Sequence, residues 1–278
     1  MKLGGTSVDI ISDGSFLLDG GAVFGQVPKA FWELQMKPDR KNRVRLGLNC
    51  LLIQTPTANI LVDTGAGARR SERLKAAYGL TGNKLLSGLK RHGLTARDID
   101  KVVLTHLHFD HVGGCTKLDR SGAAIPTFPK AEYVVQQASW DEANAPNERG
   151  EQSFHSRDFM PLQESGMLTL IDGDAELEPG VSVKVTNGHS NGHQIVLVQA
   201  GSERIAYMGD LVPTAFHLPL PNIAAIDQSP NDTLNQKRKL LKMAIEGGWL
   251  LVFGHANEQQ SGYLVQRNGQ THFSAKAL

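Results

Sequence analysis

The densest group of metal-binding side chains in this sequence falls within six residues, directly after the apolar run 102–104. These side chains are His106, His108, Asp110 and His111. Because His106 and His108 are two positions apart, they project to the same side of an extended backbone. Asp110 and His111 suit a tight loop that turns a second pair of ligands toward the first. Zinc and similar divalent ions prefer imidazole and carboxylate ligands, so the spacing predicts a metal site, with a solvated loop as the alternative.

Three later ligands share one form, in which an apolar strand ends and a glycine or polar turn follows. They are His189, Asp210 and His255. Strand ends along one sheet edge can bring distant parts of a chain together, although a lone histidine after glycine is also common as a structural residue. With the first motif they make five histidines and two aspartates. That set is too large for one tetrahedral zinc and suits two ions that share a bridging carboxylate.

The elements around these residues alternate between groups of strands and groups of helices. We expect a hairpin from strands 7–11 and 15–18 with its turn at Asp13-Gly14, and a second hairpin across 44–63. Asp63 ends that second hairpin, where it could cap the next helix or orient a metal-bound histidine. Helices are predicted at 72–78, 84–92, 137–143 and 232–246, the last capped by Asp232, with further strands at 101–104, 132–136, 168–171, 181–186, 194–199, 204–208 and 249–253.

Two segments stand apart from these elements within what we expect to be a single domain, 1–278. Residues 20–43 are rich in glycine and aromatic side chains, which predicts a lid over a pocket or a dimer contact. Within this segment we expect Phe24, Phe31 and Trp32 to line an apolar substrate pocket; packing against the protein's own sheet is the alternative. Residues 144–166 are predicted to form an insertion loop.

The composition excludes several classes of protein. The chain has 278 residues, 40% of them hydrophobic and 21% charged, with a formal net charge of +1. A nearly neutral net charge predicts no binding to nucleic acid or to anionic membranes. Cys50 and Cys115 are too few for a disulfide framework, and the sequence shows neither a secretory signal nor an apolar run of membrane-spanning length. We therefore expect a cytoplasmic protein.

The motif His106-x-His108-x-Asp110-His111, followed by His189, Asp210 and His255, resembles the metallo-β-lactamase superfamily of dinuclear metal hydrolases. The resemblance extends from position 44 to 255. It implies an α/β (α+β) fold, the four-layer αβ/βα sandwich with two mixed β-sheets flanked by helices. It also implies that Asp63 supports a ligand from outside the metal shell.

The resemblance implies which ligand holds which ion. His106, His108 and His189 would hold one metal. Asp110, His111 and His255 would hold the other, with Asp210 as the bridge. The expected cofactors are two divalent ions, with zinc as the first choice and iron, cobalt or manganese as alternatives.

Within the superfamily, the N-terminal segment rich in Gly, Phe, Pro and Trp and the stretches 42–49 and 209–214 resemble quorum-quenching N-acyl-homoserine lactone lactonases. His108 departs from the diiron flavoproteins, which have glutamate there, and Asp210 departs from the zinc β-lactamases, which usually have cysteine there. The chain after His255 is too short for the helical domain of glyoxalase II. One departure from the lactonases is Pro213, at a position where they often place a tyrosine.

We therefore expect a hydrolase in which a metal-bridged hydroxide opens a lactone or ester, with Asp110 as the proton carrier. His217 is a second catalytic candidate because it could polarise a substrate oxygen; an ordinary loop histidine is the alternative. A phosphotriester (organophosphate) hydrolase or another esterase would use the same centre, and a metal-binding sensor without activity is the non-enzymatic alternative. The expected partner is a small ester or lactone, and a homodimer is predicted from the aromatic segment.

Overall fold

Two mixed β-sheets contain most strands of the computed structural model, which describes the backbone of residues 1–278 and every side chain except those of residues 2 and 3. The first sheet has seven strands, in the spatial order Lys2–Leu3, Thr6–Asp19, Arg43–Gln54, Asn59–Val62, Lys101–Val103, Glu132–Gln136 and Leu168–Ile171. Its last four strands are parallel to one another. Parallel strands end at the same edge of a sheet, which is where the predicted motif begins.

The second sheet also has seven strands, and its order follows the chain. They are Ala175–Glu178, Val181–Val185, Gln194–Ala200, Glu203–Tyr207, Leu250–Val252, Ser261–Arg267 and Gln270–Ala275. One neighbouring pair is parallel, Glu203–Tyr207 with Leu250–Val252, and the long helix Pro230–Gly247 lies between these two strands in the sequence. A small ribbon pairs Thr116–Leu118 with Ala124–Pro126. The prediction of two mixed sheets is confirmed.

The helices are mostly short. Their bounds are Gly20–Phe24, Lys29–Trp32, Glu72–Tyr78, Leu85–Arg91, Phe109–Val112, Gln137–Asn144, Met160–Glu164 and Pro230–Gly247, with 3-10 turns at Gly113–Cys115, Glu151–Ser153, Ser156–Asp158, Gly209–Leu211 and Ala215–His217. No helix among the described residues has the length and hydropathy that crossing a membrane requires.

The chain divides into two units, each with its own apolar core. The first unit comprises Met1–Ser15 and Leu48–Gly173, and the second comprises Phe16–Gly47 and Asp174–Leu278. The first core is built from side chains such as Leu52, Val102 and Tyr133, and the second from side chains such as Leu240, Leu251 and Phe253. Burial of such side chains is the main favourable term in folding.

The predicted hairpin at Asp13-Gly14 is wrong, because residues 6–19 form one continuous strand. Asp13 is buried there, and its carboxylate accepts hydrogen bonds from the N–H groups of Gly67, Lys84 and Leu85. Gly14 has φ +136°, and a Cβ on it would lie 2.6 Å from the carbonyl oxygen of Thr81. The two residues therefore allow the strand to pack closely against residues 67 and 81–85, and they do not form a turn.

The long helix begins earlier than predicted, at Pro230, and runs to Gly247. Its N-cap is Ser229 rather than Asp232, because the Ser229 hydroxyl accepts from the Asp232 N–H. Pro230 takes the first helical position, where its missing N–H costs nothing. Asp232 lies in the first turn, where a carboxylate favours the positive end of the helix dipole.

The two segments that the sequence sets apart both contain short helical elements. Residues 20–43 include the helices Gly20–Phe24 and Lys29–Trp32. Residues 144–166 include two 3-10 turns and the helix Met160–Glu164, with Phe154 and Phe159 buried. The roles predicted for these segments, and the single domain, stay predictions.

A buried ion pair ties two loops of the first unit together, and breaking it should be costly. Arg70 Nη1 lies 2.7 Å from Asp158 Oδ2, and the two side chains are 2% and 0% exposed. Replacing Arg70 with methionine would leave the Asp158 carboxylate buried with one weaker partner, Arg69 at 3.4 Å. We expect the free energy of unfolding, measured by urea denaturation, to fall by about 3–5 kcal/mol.

The matched control is Lys75→Met, which breaks the exposed pair of Lys75 with Glu72. Exposed pairs contribute little, so this variant should change stability by less than about 1 kcal/mol. Equal effects of the two substitutions would contradict the importance of the buried pair.

Candidate metal centre

The first unit presents its part of the predicted metal site where the strand Lys101–Val103 ends. The backbone is still extended at His108, with φ −66° and ψ 150°, and the short helix Phe109–Val112 begins directly after it. Asp110 therefore lies in the first turn of that helix, with His111 next to it. This is the tight turn that the spacing of the motif predicts, and it brings the four ligands of the motif together.

Two glycines after the motif let this turn pack against a neighbouring loop. A Cβ on Gly113 would collide with the carbonyl oxygen of Ala66, and one on Gly114 with the carbonyl oxygen of Thr64. Thr64 in turn donates both its N–H and its hydroxyl to the carbonyl oxygen of His111, at 2.7 and 2.9 Å. The loop after Asp63 is thereby held to the motif.

Asp63 is the carboxylate that orients the motif's side chains. It is buried and has φ +58°, a left-handed conformation that few residues other than glycine adopt. Its oxygens accept from the N–H of Thr105 at 2.8 Å, from the Thr105 hydroxyl at 2.9 Å and from His111 Nδ1 at 2.8 Å. Asp63 therefore lies where an orienting partner of the predicted metal-binding histidines is expected.

These contacts decide which nitrogen of two rings has the lone pair. A carboxylate only accepts, so His111 Nδ1 has the hydrogen and Nε2 has the lone pair. The Thr105 hydroxyl donates to Asp63 and so accepts from His106 Nδ1 at 3.0 Å, which gives His106 the same tautomer. His106 Nε2 then faces His108 Nδ1 at 3.0 Å. Either His108 Nδ1 donates to His106 Nε2, or a cation binds the lone pairs of both nitrogens.

The second unit presents its ligands around Asp210. His189 Nε2 lies 3.2 Å from one carboxylate oxygen of Asp210, and His255 Nε2 lies 3.0 Å from the other. All three side chains are buried. Each follows the end of a strand, as the sequence predicts, and Asp210 lies in the 3-10 turn Gly209–Leu211.

Partners in the same unit orient both of these rings. His189 Nδ1 donates to Asp227 at 2.9 Å, and Asp227 also accepts from the Thr233 hydroxyl at 2.7 Å. His255 Nδ1 donates to the carbonyl oxygen of Gly47 at 2.8 Å. Both rings therefore direct the lone pair of Nε2 at the Asp210 carboxylate.

Lone pairs that converge on a carboxylate repel it, unless a cation lies between them or the rings are protonated. The donor set of imidazole nitrogens and carboxylate oxygens is the one that zinc and similar ions prefer, so the residues present fit a divalent metal. In each unit the rings are turned by partners outside the metal shell, which is the usual arrangement around a metal-bound histidine.

Sequence reasoning missed two residues of this unit, Asp227 and His193. His193 Nε2 accepts from the N–H of Asp210 at 3.0 Å, while its Nδ1 lies 2.6 Å from the Thr186 hydroxyl. His193 thus fixes the backbone of Asp210. A signal for it exists, since Gly192-His193 repeats the pair Gly188-His189. Asp227 is 38 positions from His189, and no spacing rule links the two.

His217 lies inside the second unit and both its ring nitrogens contact protein atoms. Nδ1 lies 2.8 Å from the Thr214 hydroxyl, and Nε2 lies 2.9 Å from the carbonyl oxygen of Val23. The ring is 1% exposed and stacks on Phe24 at a centroid distance of 5.9 Å. These contacts favour the structural alternative over the catalytic role, which stays a prediction.

The aromatic residues predicted to line a substrate pocket differ in placement. Phe24 and Trp32 are buried and stack on each other at 4.7 Å, and Phe24 also meets Phe216 edge-on at 4.6 Å. Phe31 is 65% exposed. Phe24 and Trp32 thus pack within their own unit, and the pocket role of all three stays a prediction.

The buried state of His217 makes the stability of the protein depend on pH. Burial lowers the pKa of His217 to about 4, against about 6.5 in an unfolded chain. Between these values the unfolded chain binds a proton that the folded chain does not, so stability falls as the pH falls. The contribution of this one group is roughly 3 kcal/mol by pH 4.

The variant His217→Gln should be less stable than the original protein at pH 7, with the difference narrowing by about 2–3 kcal/mol near pH 4.5. Urea denaturation of both proteins at the two pH values measures this. The other ionisable groups are common to both proteins, so their contributions to the pH dependence cancel. A difference that stays constant with pH would show that His217 is not held neutral by burial.

Comparisons with known proteins agree with this geometry. A sequence model described as the Metallo-beta-lactamase superfamily matches residues 44–255. The chain is 27% identical over 238 residues to an N-acyl homoserine lactonase of Bacillus cereus, an alignment that covers 81% of this chain and 87% of that protein. The matched range 44–255 includes every predicted metal ligand, and the alignment with the lactonase includes most of the chain.

Solved structures have the same fold. A probable metal-dependent hydrolase from Staphylococcus aureus superposes with a TM-score of 0.91 and 30% identity, over 99% of both chains. AidC, a dizinc quorum-quenching lactonase in complex with a product, superposes with a TM-score of 0.80 and 20% identity, over 100% of this chain and 97% of that one. The fold class predicted from the sequence is thereby confirmed. The chain belongs to the metallo-β-lactamase superfamily and is a metal-dependent hydrolase similar to the N-acyl homoserine lactonases.

Proposed function

We propose that this protein is a dinuclear metal hydrolase that opens the ring of N-acyl-homoserine lactones. The observation that supports it most is the arrangement around Asp210, where two oriented imidazoles direct lone pairs at one carboxylate. Similarity to an N-acyl homoserine lactonase over most of the chain supports the choice of substrate.

This proposal takes all seven predicted residues as metal ligands. His106, His108 and His189 would hold one ion and Asp110, His111 and His255 the other, with Asp210 as the ligand that both ions would share. Zinc is the proposed metal because imidazole and carboxylate suit it, with iron, cobalt or manganese as alternatives.

Two divalent ions bound there would supply a water of near-neutral pKa and would stabilise the oxyanion that develops on the attacked carbonyl. Asp110 is the proposed proton carrier to the leaving alcohol oxygen; it lies in the first turn of its helix with its side chain 11% exposed. Asp63 and Asp227 keep their histidines in the tautomer that binds metal. His193 holds the Asp210 backbone in place.

A phosphotriester hydrolase of the same superfamily is the second candidate. Pro213 favours it, because the tyrosine that lactonases often place at this position is absent. The Pro213 carbonyl oxygen instead accepts from the N–H of His255 at 2.9 Å. The same metal clamp suits displacement at phosphorus.

The test compares kcat/KM of the zinc-loaded protein on a panel of N-acyl-homoserine lactones and on a phosphotriester. We expect the lactones to be hydrolysed at least about a hundredfold more efficiently, a difference of roughly 3 kcal/mol in transition-state binding. The reverse preference would replace the lactonase proposal with the phosphotriesterase, and no turnover of either would leave another ester as substrate.

Two further expectations stay predictions. A homodimer is proposed because Phe31 and Leu34 expose apolar side chains, 65% and 79% accessible, from the segment 20–43. A cytoplasmic location is proposed from the cysteine content.

A further inference from the structure

The first unit contains a cavity of about 580 Å³ whose charged lining is mostly basic. Arg69, Arg70, Lys117 and Arg157 all line it, and Asp13 is the acidic residue among its walls. The predicted metal ligands of this unit are absent from the lining. The volume is within the usual range for small-molecule sites.

The positive charge of this cavity is not balanced by its own carboxylates. Asp158, which is not among the lining residues, pairs with Arg70 at 2.7 Å and with Arg69 at 3.4 Å. Asp13 is already committed to three backbone N–H groups. Lys117 and Arg157 add two more positive charges at the exposed side of the lining.

Two buried hydrogen-bond donors give a second, independent indication that these arginines can accept an anionic partner. The Nε atoms of Arg69 and Arg70 are buried and have no hydrogen-bond partner among the described residues. The Arg70 side chain is 2% exposed and the Arg69 side chain 10%. An unsatisfied buried donor is costly, the more so on a charged group, so both guanidinium groups beside the cavity keep unmet hydrogen-bonding capacity.

We propose that this cavity binds a small oxyanion, a carboxylate or a phosphate, through the guanidinium groups of Arg69 and Arg157 and the ammonium group of Lys117. Guanidinium groups match the geometry of both oxyanions, and charge-assisted hydrogen bonds to them are strong. The leucine side chains of Leu85 and Leu86 also line the cavity, which leaves room for an apolar body on the anion.

Isothermal titration calorimetry on the zinc-loaded protein tests this with two probes, inorganic phosphate and hexanoate. We expect saturable binding of at least one of them, and the one that binds identifies the head group. Lys117→Gln and Arg157→Gln should each weaken binding about fivefold to tenfold, and the double variant more. Both side chains are exposed, so the variants should fold normally.

The matched control is Arg120→Gln, an exposed arginine close to Lys117 in sequence that does not line the cavity. It should bind the probes as the original protein does. If neither probe binds saturably at concentrations up to about 10 mM, the proposal is overturned. So would binding that the double variant leaves unchanged, because the anion would then lie elsewhere, for instance on the metal ions.

Discussion

The variant Asp210→Asn is expected to lose at least about a thousandfold in kcat/KM and to bind less than two metal ions per chain. Asp210 faces His189 at 3.2 Å and His255 at 3.0 Å through its two oxygens. An amide keeps the size of the side chain but replaces one oxygen with a donor group, which cannot share an ion with an imidazole. Steady-state kinetics on a lactone and elemental analysis of the purified variant measure the two effects.

The control for this experiment is Glu246→Gln, the same chemical change on an exposed carboxylate whose partner is Lys242 at 3.8 Å. It should leave kinetics and metal content unchanged. The circular dichroism of Asp210→Asn should match that of the original protein, since the fold does not depend on this one carboxylate. Full turnover with two bound metals in Asp210→Asn would remove Asp210 from the centre.

The second large effect is expected at Asp63, which never needs to touch a metal. Asp63→Asn should lower metal affinity about tenfold to a hundredfold, measured by competition with a chelating dye. The carboxylate now accepts from His111 Nδ1 and from the Thr105 hydroxyl, which in turn orients His106. An amide nitrogen placed toward His111 would donate to Nδ1 and move the ring hydrogen to Nε2, the nitrogen that binds metal.

Two further variants serve as controls for Asp63→Asn. Thr105→Val removes the hydroxyl that links Asp63 to His106 but leaves the contact of Asp63 with His111, so its effect should be smaller than that of Asp63→Asn. Asp100→Asn changes another carboxylate that accepts a backbone N–H, from Asn59 at 2.8 Å, and should bind metal normally. If Asp63→Asn binds metal as tightly as the original protein, tautomer control by Asp63 is refuted.

Much of the site could be predicted from sequence because its signals are local. The four ligands of the motif fall within six residues, and the other three each follow an apolar strand. Asp63 was also predictable, because a carboxylate at a strand end before a glycine-rich loop is a recognisable pattern. Asp227 was not, since tertiary folding alone brings it to His189.

The two incorrect predictions about the fold also arise from tertiary contacts that the local sequence does not reveal. Asp13-Gly14 has the composition of a turn, but its tertiary contacts with residues 67 and 81–85 keep the strand continuous. At the long helix, both Ser229 and Asp232 are good caps by type. Only the structure shows that the Ser229 hydroxyl accepts the hydrogen bond. Local propensity does not decide between choices that distant residues determine.

The metal content of the purified protein, measured by elemental analysis alongside hydrolysis of an N-acyl-homoserine lactone, tests the dinuclear centre most directly. We predict two divalent ions per chain, and loss of turnover on chelation that the added metal restores. A chain that hydrolyses the lactone at full rate with no bound metal would contradict the dinuclear account.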